Sequence, residues 1–309
     1  MGLINERIYM KIIVAVVTYN RSMLLSRCID NILLQSRMPD EIVVINNGST
    51  DGTEEMLRAK GIKCITQENV GSAGGWHRAI SISLEENFDA IWLMDDDGFP
   101  HKDALSHLEK GMQPNIACAA SLVLQENQPD RFVFDMPKLN QSKLPIIFSL
   151  PRKYSTINTL EAHSQDGVYE FAQLFNGALI STDAVRKIGN VNTEYYIYGD
   201  EVDFFYRIRE AGAVISVLAA KHFHPDVTIR PYNKMKIYYY IKNTLILYRK
   251  YFPWPSFYQF AGIGLILFRI AKKNGLKTSI SLISGSLAPV FYTAIYRGLR
   301  GRIAKDYDF

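Results

Sequence analysis

Three consecutive carboxylates, Asp95, Asp96 and Asp97, end the short apolar run Ile91-Trp92-Leu93-Met94 and are followed by Gly98. Ionised carboxylates this close repel one another and are costly to desolvate without a cation beside them. A divalent metal holding an anionic ligand supplies that cation, because hard metal ions prefer oxygen ligands. A solvated turn is the plain alternative, since Asp-Asp-Gly is ordinary turn chemistry. A second acidic cluster, Asp200-Glu201-Val202-Asp203, opens a helical pattern. There a carboxylate can act as a general base, or do no more than complement the helix dipole. His222 and His224 follow the last apolar run, where an imidazole can complete an oxygen-rich metal site or simply pack.

These residues are far apart in sequence and need a scaffold that gathers them. Ile12–Val17, Glu41–Ile45, Ile62–Thr66 and Ala90–Met94 are apolar runs of strand length. Helical patterns alternate with them over Ser22–Gln35, over Thr53–Lys60 with Thr53 as its cap, and from Trp76 to about Glu86. This alternation predicts an α/β fold of right-handed βαβ units around a mainly parallel sheet. Ligands bind such sheets beyond the carboxyl ends of the strands. Thr18-Tyr19-Asn20-Arg21, Asn46 to Thr53, Asn69 to Trp76 and the triple aspartate are therefore expected at one cleft. Gly71, Gly74 and Gly75 read as a loop beside a helix start, whose backbone N–H groups can approach a phosphate or a sugar. No Lys-Ser/Thr follows these glycines, and no Gly-x-Gly-x-x-Gly follows the first strand. Both absences disfavour a P-loop triphosphatase and a dinucleotide fold.

Further on, Ile116–Leu124 reads as a strand and Gln125 to about Gly167 as a polar, aperiodic insertion beside the cleft. Phe171–Ser181 reads as a strand, Asp183–Gly189 as a short helix, and Val214–Ala219 as the final strand. The helix opened by Asp200 is expected to reach Gly212.

Four segments together resemble the family 2 glycosyltransferases, an inverting group with the GT-A fold. They are Val16 to Arg21, Asn47 to Thr53, Asp95-Asp96-Asp97, and Gly199 to Asp203 with Arg207. The likeness spans residues 11 to about 225, and Asn69 to Trp76 with the triple aspartate looks most like bacterial galactofuranosyl- and rhamnosyltransferases. The resemblance implies that Thr18, Tyr19, Asn20, Arg21, Asn46 and Asp51 line the nucleotide pocket. Asn69, Gly71, Gly74, Gly75 and Trp76 are then expected at the diphosphate-sugar, together with Asp95 and Asp96. Asp95, Asp97 and His224 are the implied ligands of Mn²⁺ or Mg²⁺, ahead of His222. Glu201 is implied as the base on the acceptor hydroxyl, with Asp200 as the fallback and Asp203 as an acceptor contact. Asn46 departs from the aspartate that often reads the nucleobase, and Asp200-Glu201 reverses the usual Glu-Asp order.

The implied reaction is a single displacement with inversion. UDP-galactofuranose is the expected donor, with dTDP-rhamnose as the alternative, and the acceptor is a polyprenyl-linked glycan of bacterial surface polysaccharide. A nucleotidyltransferase would favour a glycine- and lysine-rich N-terminal loop unlike Thr18 to Arg21. A silent scaffold subunit would have no need of carboxylates at both 95–97 and 200–203.

The 309 residues, 48% apolar and 21% charged, suit one or two globular domains. Residues 1–228 are expected to form the catalytic domain, with its nucleotide-sugar half at 11–110 and its acceptor half at 111–228, and residues 229–309 a helical tail. Cys28, Cys64 and Cys118 show neither metal spacing nor a disulfide framework, which fits a reducing cytoplasm. Met1 to Lys11 has no apolar signal-type run. From Pro231 to Phe309 there are 13 Lys and Arg against 2 Asp, or +11, whereas the remainder has 22 against 29 Asp and Glu, or −7. Bases interleaved with the apolar runs Phe257–Ile270 and Ile280–Tyr296 point to amphipathic helices on the inner face of the cell membrane. Nucleic acid is not an expected partner. An ordinary helical subdomain or an oligomer interface is the alternative.

Overall fold

The computed structural model describes residues 10–147, 153–226 and 230–308. β1 (Ile12–Thr18), β2 (Glu41–Asn46), β3 (Lys63–Thr66) and β4 (Ala90–Asp95) alternate with α1 (Ser22–Ile32), α2 (Thr53–Ala59) and α3 (Gly71–Glu85). The chain continues through β5 (Phe99–Pro100), α4 (Ala104–Gly111), β6 (Ile116–Gln125), β7 (Gln128–Pro137), β8 (Lys153–Thr156) and α5 (Ile157–Glu161). It then forms β9 (Val168–Tyr169), β10 (Asn176–Ser181), α6 (Thr182–Ile188), α7 (Asp200–Ile208) and β11 (Ala213–His224).

β1 and β4 are buried on both faces, which is what their unbroken apolar runs require when helices cover both sides of a sheet. Ile13, Ala15 and Val17 pack with Trp76 and Ile80 of α3 and Phe204 of α7. Ile12, Val14 and Val16 pack with Leu25 and Ile29 of α1 and Leu105 of α4. The sheet runs β3-β2-β1-β4-β10-β6-β11-β5. β1 to β4 are parallel, β10 runs against both β4 and β6, and β6 and β11 are parallel. The sheet is therefore mixed, with β1, β2, β3, β4, β6 and β11 pointing one way. Reversal of β10 brings its start, not its end, to the edge where Thr18, Asn46 and Asp95 terminate their strands.

Five local expectations change. The glycines at 71, 74 and 75 lie inside α3, not in a loop before it. A Cβ on Gly75 would stand 2.5 Å from Val17 Cγ1, so the absent side chain lets α3 lie close on β1 and packing overrides poor helix propensity. Thr53 does not cap α2: Gly52 stands at the cap in the left-handed region, and the Thr53 hydroxyl turns back to Asp51. The expected aperiodic insertion contains the β7–β8 pair and α5, while only the second half of Phe171–Ser181 is strand. A register shift between Val217 and Lys221 lets β11 run on beside β6, so His222 and His224 lie within a strand.

The tail forms α8 (Lys234–Tyr251), α9 (Pro255–Asn274), α10 (Leu276–Ser284) and α11 (Ala288–Leu299). Its own core joins Tyr238, Tyr239, Ile266 and Phe291. Inside it, fully buried Lys242 donates to the Asp306 carboxylate and to the Ala304 carbonyl. α8 is also built into the turn ahead of α7. There Tyr196 and Tyr198 hold positive φ (63° and 60°), and Gly199 follows at 91°. The buried Asn243 amide donates to the carbonyls of Tyr195 (3.0 Å), Ile197 (3.1 Å) and Tyr198 (2.7 Å). Replacing Asn243 by Ala removes the side-chain donor shared by three carbonyls around a strained turn, of which, among the described residues, Tyr195 alone keeps a backbone N–H, that of Ile197. Urea unfolding of that variant is expected to show a loss of about 1–3 kcal/mol.

Candidate active site

At the ends of β1 and β4 the three aspartates meet a set of cations. The Thr18 hydroxyl donates to Asp96 Oδ2 at 2.7 Å, and Arg21 Nη1 donates to Asp96 Oδ1 at 2.8 Å. The same Arg21 nitrogen is 2.9 Å from Asp97 Oδ2. Arg230 Nη1 reaches that oxygen from the opposite side at 3.1 Å, and His224 Nε2 lies 2.8 Å from Asp97 Oδ1. Arg27 donates to the Asp97 backbone carbonyl at 3.1 Å. Burial pushes the Asp97 carboxyl up, but His224, Arg21 and Arg230 outweigh it and hold it below the ordinary range. Asp95 goes the other way: burial and the neighbouring Asp97 and Asp96 charges raise it well above that range, against Arg21.

The donor set suits a hard divalent ion, with carboxylate oxygens from Asp95 and Asp97 and an imidazole nitrogen from His224. His224 Nδ1 is 2.7 Å from the Pro225 carbonyl. A proton on Nδ1 donated there would leave Nε2 as the nitrogen for a metal, in place of its contact with Asp97 Oδ1. Among the described residues no three such groups are already drawn round one point, and Arg21 and Arg230 share Asp97 Oδ2. His222 differs from His224. It is fully buried against Gly98 and Gly177, neither ring nitrogen has a partner among the described residues, and burial with the nearby His224 brings it down to about 3. It packs as a neutral ring.

The second carboxylate pair opens α7. Asp200 is 4% exposed and accepts from the Ser72 hydroxyl at 3.3 Å. Burial, and then the Glu201 charge, push it up to about 7. Glu201 is less enclosed, and its Oε1 accepts from the Leu174 backbone N–H at 2.8 Å. Leu174 lies just before β10, so the reversed strand delivers that donor to the cleft edge. Burial raises the Glu201 carboxyl against the Leu174 and Phe175 N–H groups, and its charge is felt at Asp95.

Several expected site residues serve the scaffold instead. Asp203, expected at the acceptor, is buried with both oxygens occupied. Oδ1 accepts from Lys250 (2.7 Å), Tyr251 (2.8 Å) and Tyr195 (3.2 Å), and Oδ2 from Arg207 (2.9 Å). Trp76, expected at the sugar, is core and stacks on Phe175 with ring centroids 4.5 Å apart. Gly74 and Gly75 are buried within α3, where an added Cβ would meet Val70 and Val17. Asn46 is fully buried and spends its amide on the Ser49 N–H and Thr66. Asn69 accepts from the Gly71 N–H, and Gly71 lies against the Tyr196 carbonyl, which the Ala73 N–H reaches at 3.2 Å. Asn20 ties β1 to the next turn through Ser49 and Thr50, and Asp51 accepts from the Ser22 N–H at the start of α1. Tyr19, 48% exposed, stays at the cleft with its N–H toward Asp96. Arg27 and Arg230 carry no motif, and only the need of the aspartates for cations hinted at them, while Ser72 lies within the Asn69 to Trp76 stretch without being singled out.

Comparison with known proteins fits this geometry. The model of the family described as Glycosyl transferase family 2 matches residues 13–175. Galactofuranosyltransferase GlfT1 of Mycolicibacterium smegmatis is 29% identical over 215 residues, 68% of this chain and 69% of that protein. Its namesake from Mycobacterium tuberculosis is 31% identical over 216 residues, 68% of each. Among solved structures, GalNAc-T7 with UDP, GalNAc and Mn²⁺ superposes with a TM-score of 0.58 at 14% identity, over 84% of this chain and 52% of that one. The Pyrobaculum calidifontis mannosyltransferase PcManGT, with GDP-Man and Mn²⁺, gives 0.54 at 14% identity, over 96% and 88%. Both superpositions show the GT-A fold, and both neighbours hold a nucleotide with Mn²⁺.

The raised Asp200 carboxyl sets a pH dependence. Between its ordinary value of 3.8 and about 7 the folded chain binds the proton more tightly than the unfolded chain. Its contribution to stability is full below about pH 4 and is lost as pH rises through about 7. Asp200→Asn, which cannot ionise, is expected to melt higher than wild type at pH 8 and no higher near pH 4, by differential scanning calorimetry.

Proposed function

Because the chain belongs to family 2 of the glycosyltransferases, and is an enzyme of that class, we propose that it transfers galactofuranose from UDP-galactofuranose to a lipid-linked glycan of a bacterial surface polysaccharide. The observation that carries the chemistry is Glu201, held by the Leu174 N–H and near enough to Asp95 for its charge to be felt there. Its carboxylate takes the acceptor proton as the hydroxyl oxygen attacks the anomeric carbon, while the bond to the diphosphate oxygen breaks on the other side. A fixed backbone donor keeps the glutamate from folding away, and burial keeps its proton affinity high enough to act as a base. Asp200, more deeply buried beside it, feels the Glu201 charge and is raised in turn. A Mn²⁺ or Mg²⁺ ion on Asp95, Asp97 and His224 would, when bound, neutralise charge on the departing diphosphate. Galactofuranose is supported by the two relatives named for it. Purified chain with Mn²⁺ and a polyprenyl-diphosphate glycan is expected to release UDP from UDP-galactofuranose and add one hexose to the acceptor by mass spectrometry. Glu201→Gln should lower kcat at least about 100-fold while UDP still binds. Turnover of dTDP-rhamnose in its place would change the donor and leave the roles.

We also propose that the tail rests on the inner face of the cell membrane, where such an acceptor is anchored. Each of its last three helices exposes an apolar stripe at helical spacing: Phe257, Phe260 and Phe268 on α9, Leu276, Ile280 and Ile283 on α10, and Tyr292, Tyr296 and Leu299 on α11. Exposed Lys272, Lys277, Arg300 and Arg302 flank these stripes. A second copy would oppose like charges there, whereas an anionic leaflet complements them. Among the described residues no single helix is long and apolar enough to cross a membrane, and α10 and α11, which pass only together, meet at a 73° bend. Flotation with vesicles containing phosphatidylglycerol should carry the chain upward, and Phe260→Glu with Ile280→Glu should leave it at the bottom.

A further inference from the structure

Two cations at the cleft mouth keep donor capacity beyond the carboxylates beside them. Asp97 Oδ2 is shared by Arg21 and Arg230, while Arg27, which donates to the Asp97 carbonyl, is paired with Glu126. A further cation, Lys236, lies in the first turn of α8 within electrostatic reach of Arg21, Arg230 and Asp97. Its ammonium has no hydrogen-bond or ion-pair partner among the described residues, although the residue is partly buried. Burial, and then Arg21 and Arg230, draw its proton affinity down, against Asp97.

The tail holds both side chains in place. The Tyr232 N–H donates to Asn274 Oδ1 at 3.0 Å, and Asn274 Nδ2 returns a bond to the Tyr232 carbonyl at 2.7 Å. The start of the tail is thereby pinned to the far end of α9. Asn233 caps α8 through the Lys236 N–H at 2.9 Å, fixing where Lys236 emerges. Arg230 is 47% exposed and uses one nitrogen on Asp97, so the rest of its fork faces outward. Two pre-positioned cations, one bidentate and one a point charge, suit an anion with two phosphates.

Building on the transferase reading, we infer that Arg230 and Lys236 form a diphosphate-binding mouth to the cleft. The shared chemistry is a diphosphate, carried either by the nucleotide sugar or by a prenyl-linked acceptor. Calorimetric titrations on the full chain distinguish the two sources, using UDP and, separately, farnesyl diphosphate in detergent micelles, each with Mn²⁺ and with EDTA. Arg230→Gln and Lys236→Gln are each expected to weaken one of these ligands about tenfold, in EDTA as well as in Mn²⁺. Lys110→Gln, exposed in the last turn of α4, should change neither. A loss confined to UDP assigns the mouth to the donor, and one confined to farnesyl diphosphate assigns it to the acceptor. Unchanged affinity for both in the folded variants, checked by circular dichroism, overturns the proposal. So does a loss seen only with Mn²⁺, because the two side chains would then act through the metal ligands. Failure of the underlying transferase reading looks different: the wild type itself binds no UDP, and the farnesyl diphosphate arm alone decides.

Discussion

Three carboxylates at the end of one buried strand cannot be folded without positive charge around them, and much of this protein answers that requirement. β4 carries Asp95 to Asp97 into a place where water is scarce. The compensating groups come from four separate stretches: Arg21 beyond β1, Arg27 on α1, His224 at the end of β11 and Arg230 ahead of α8. A parallel sheet is what makes this convergence possible, because its strand ends share one edge. The electrostatic demand of the aspartates and the topology of the sheet are thus two sides of one constraint.

Much the same holds at the second acidic cluster, where neighbouring carboxylates are driven to opposite ends by their surroundings. Asp203 is saturated by Arg207, Lys250, Tyr195 and Tyr251, and its charge ties α7 to α8. Asp200, one turn earlier on the helix, has a single side-chain donor and a like charge beside it. One aspartate becomes a strut and the other keeps a labile proton, although the sequence places them three residues apart. Neighbours, not residue type, decide the role.

That also marks how much was legible beforehand. The strand runs of β1, β2 and β4 are so apolar that their place in a central sheet follows from pattern alone, and so does the shared edge of Thr18, Asn46 and Asp95. The reversal of β10 left no local trace, because strand direction is set by pairing with β4 and β6. Glycines at 74 and 75 suggested a ligand loop, yet their smallness is used against Val70 and Val17. Trp76 and Asn46 lie beside motif residues in sequence but point into the core. Arg230 was invisible because a lone arginine in an unpatterned stretch has no spacing to read, and only the fold shows what it faces.

The turn from Tyr195 to Gly199 has a consequence for the order in which the protein becomes competent. Its left-handed residues are held by Asn243, which leaves the ribosome more than forty residues after them. Glu201 hangs from the helix that this turn launches, and Ala73 at the base of α3 leans on the same turn through the Tyr196 carbonyl. A chain that has completed its sheet therefore still lacks the Asn243 clasp on this turn until α8 is made. The tail is thus a structural part of the unit that presents Glu201, and its removal would loosen α7 from a distance.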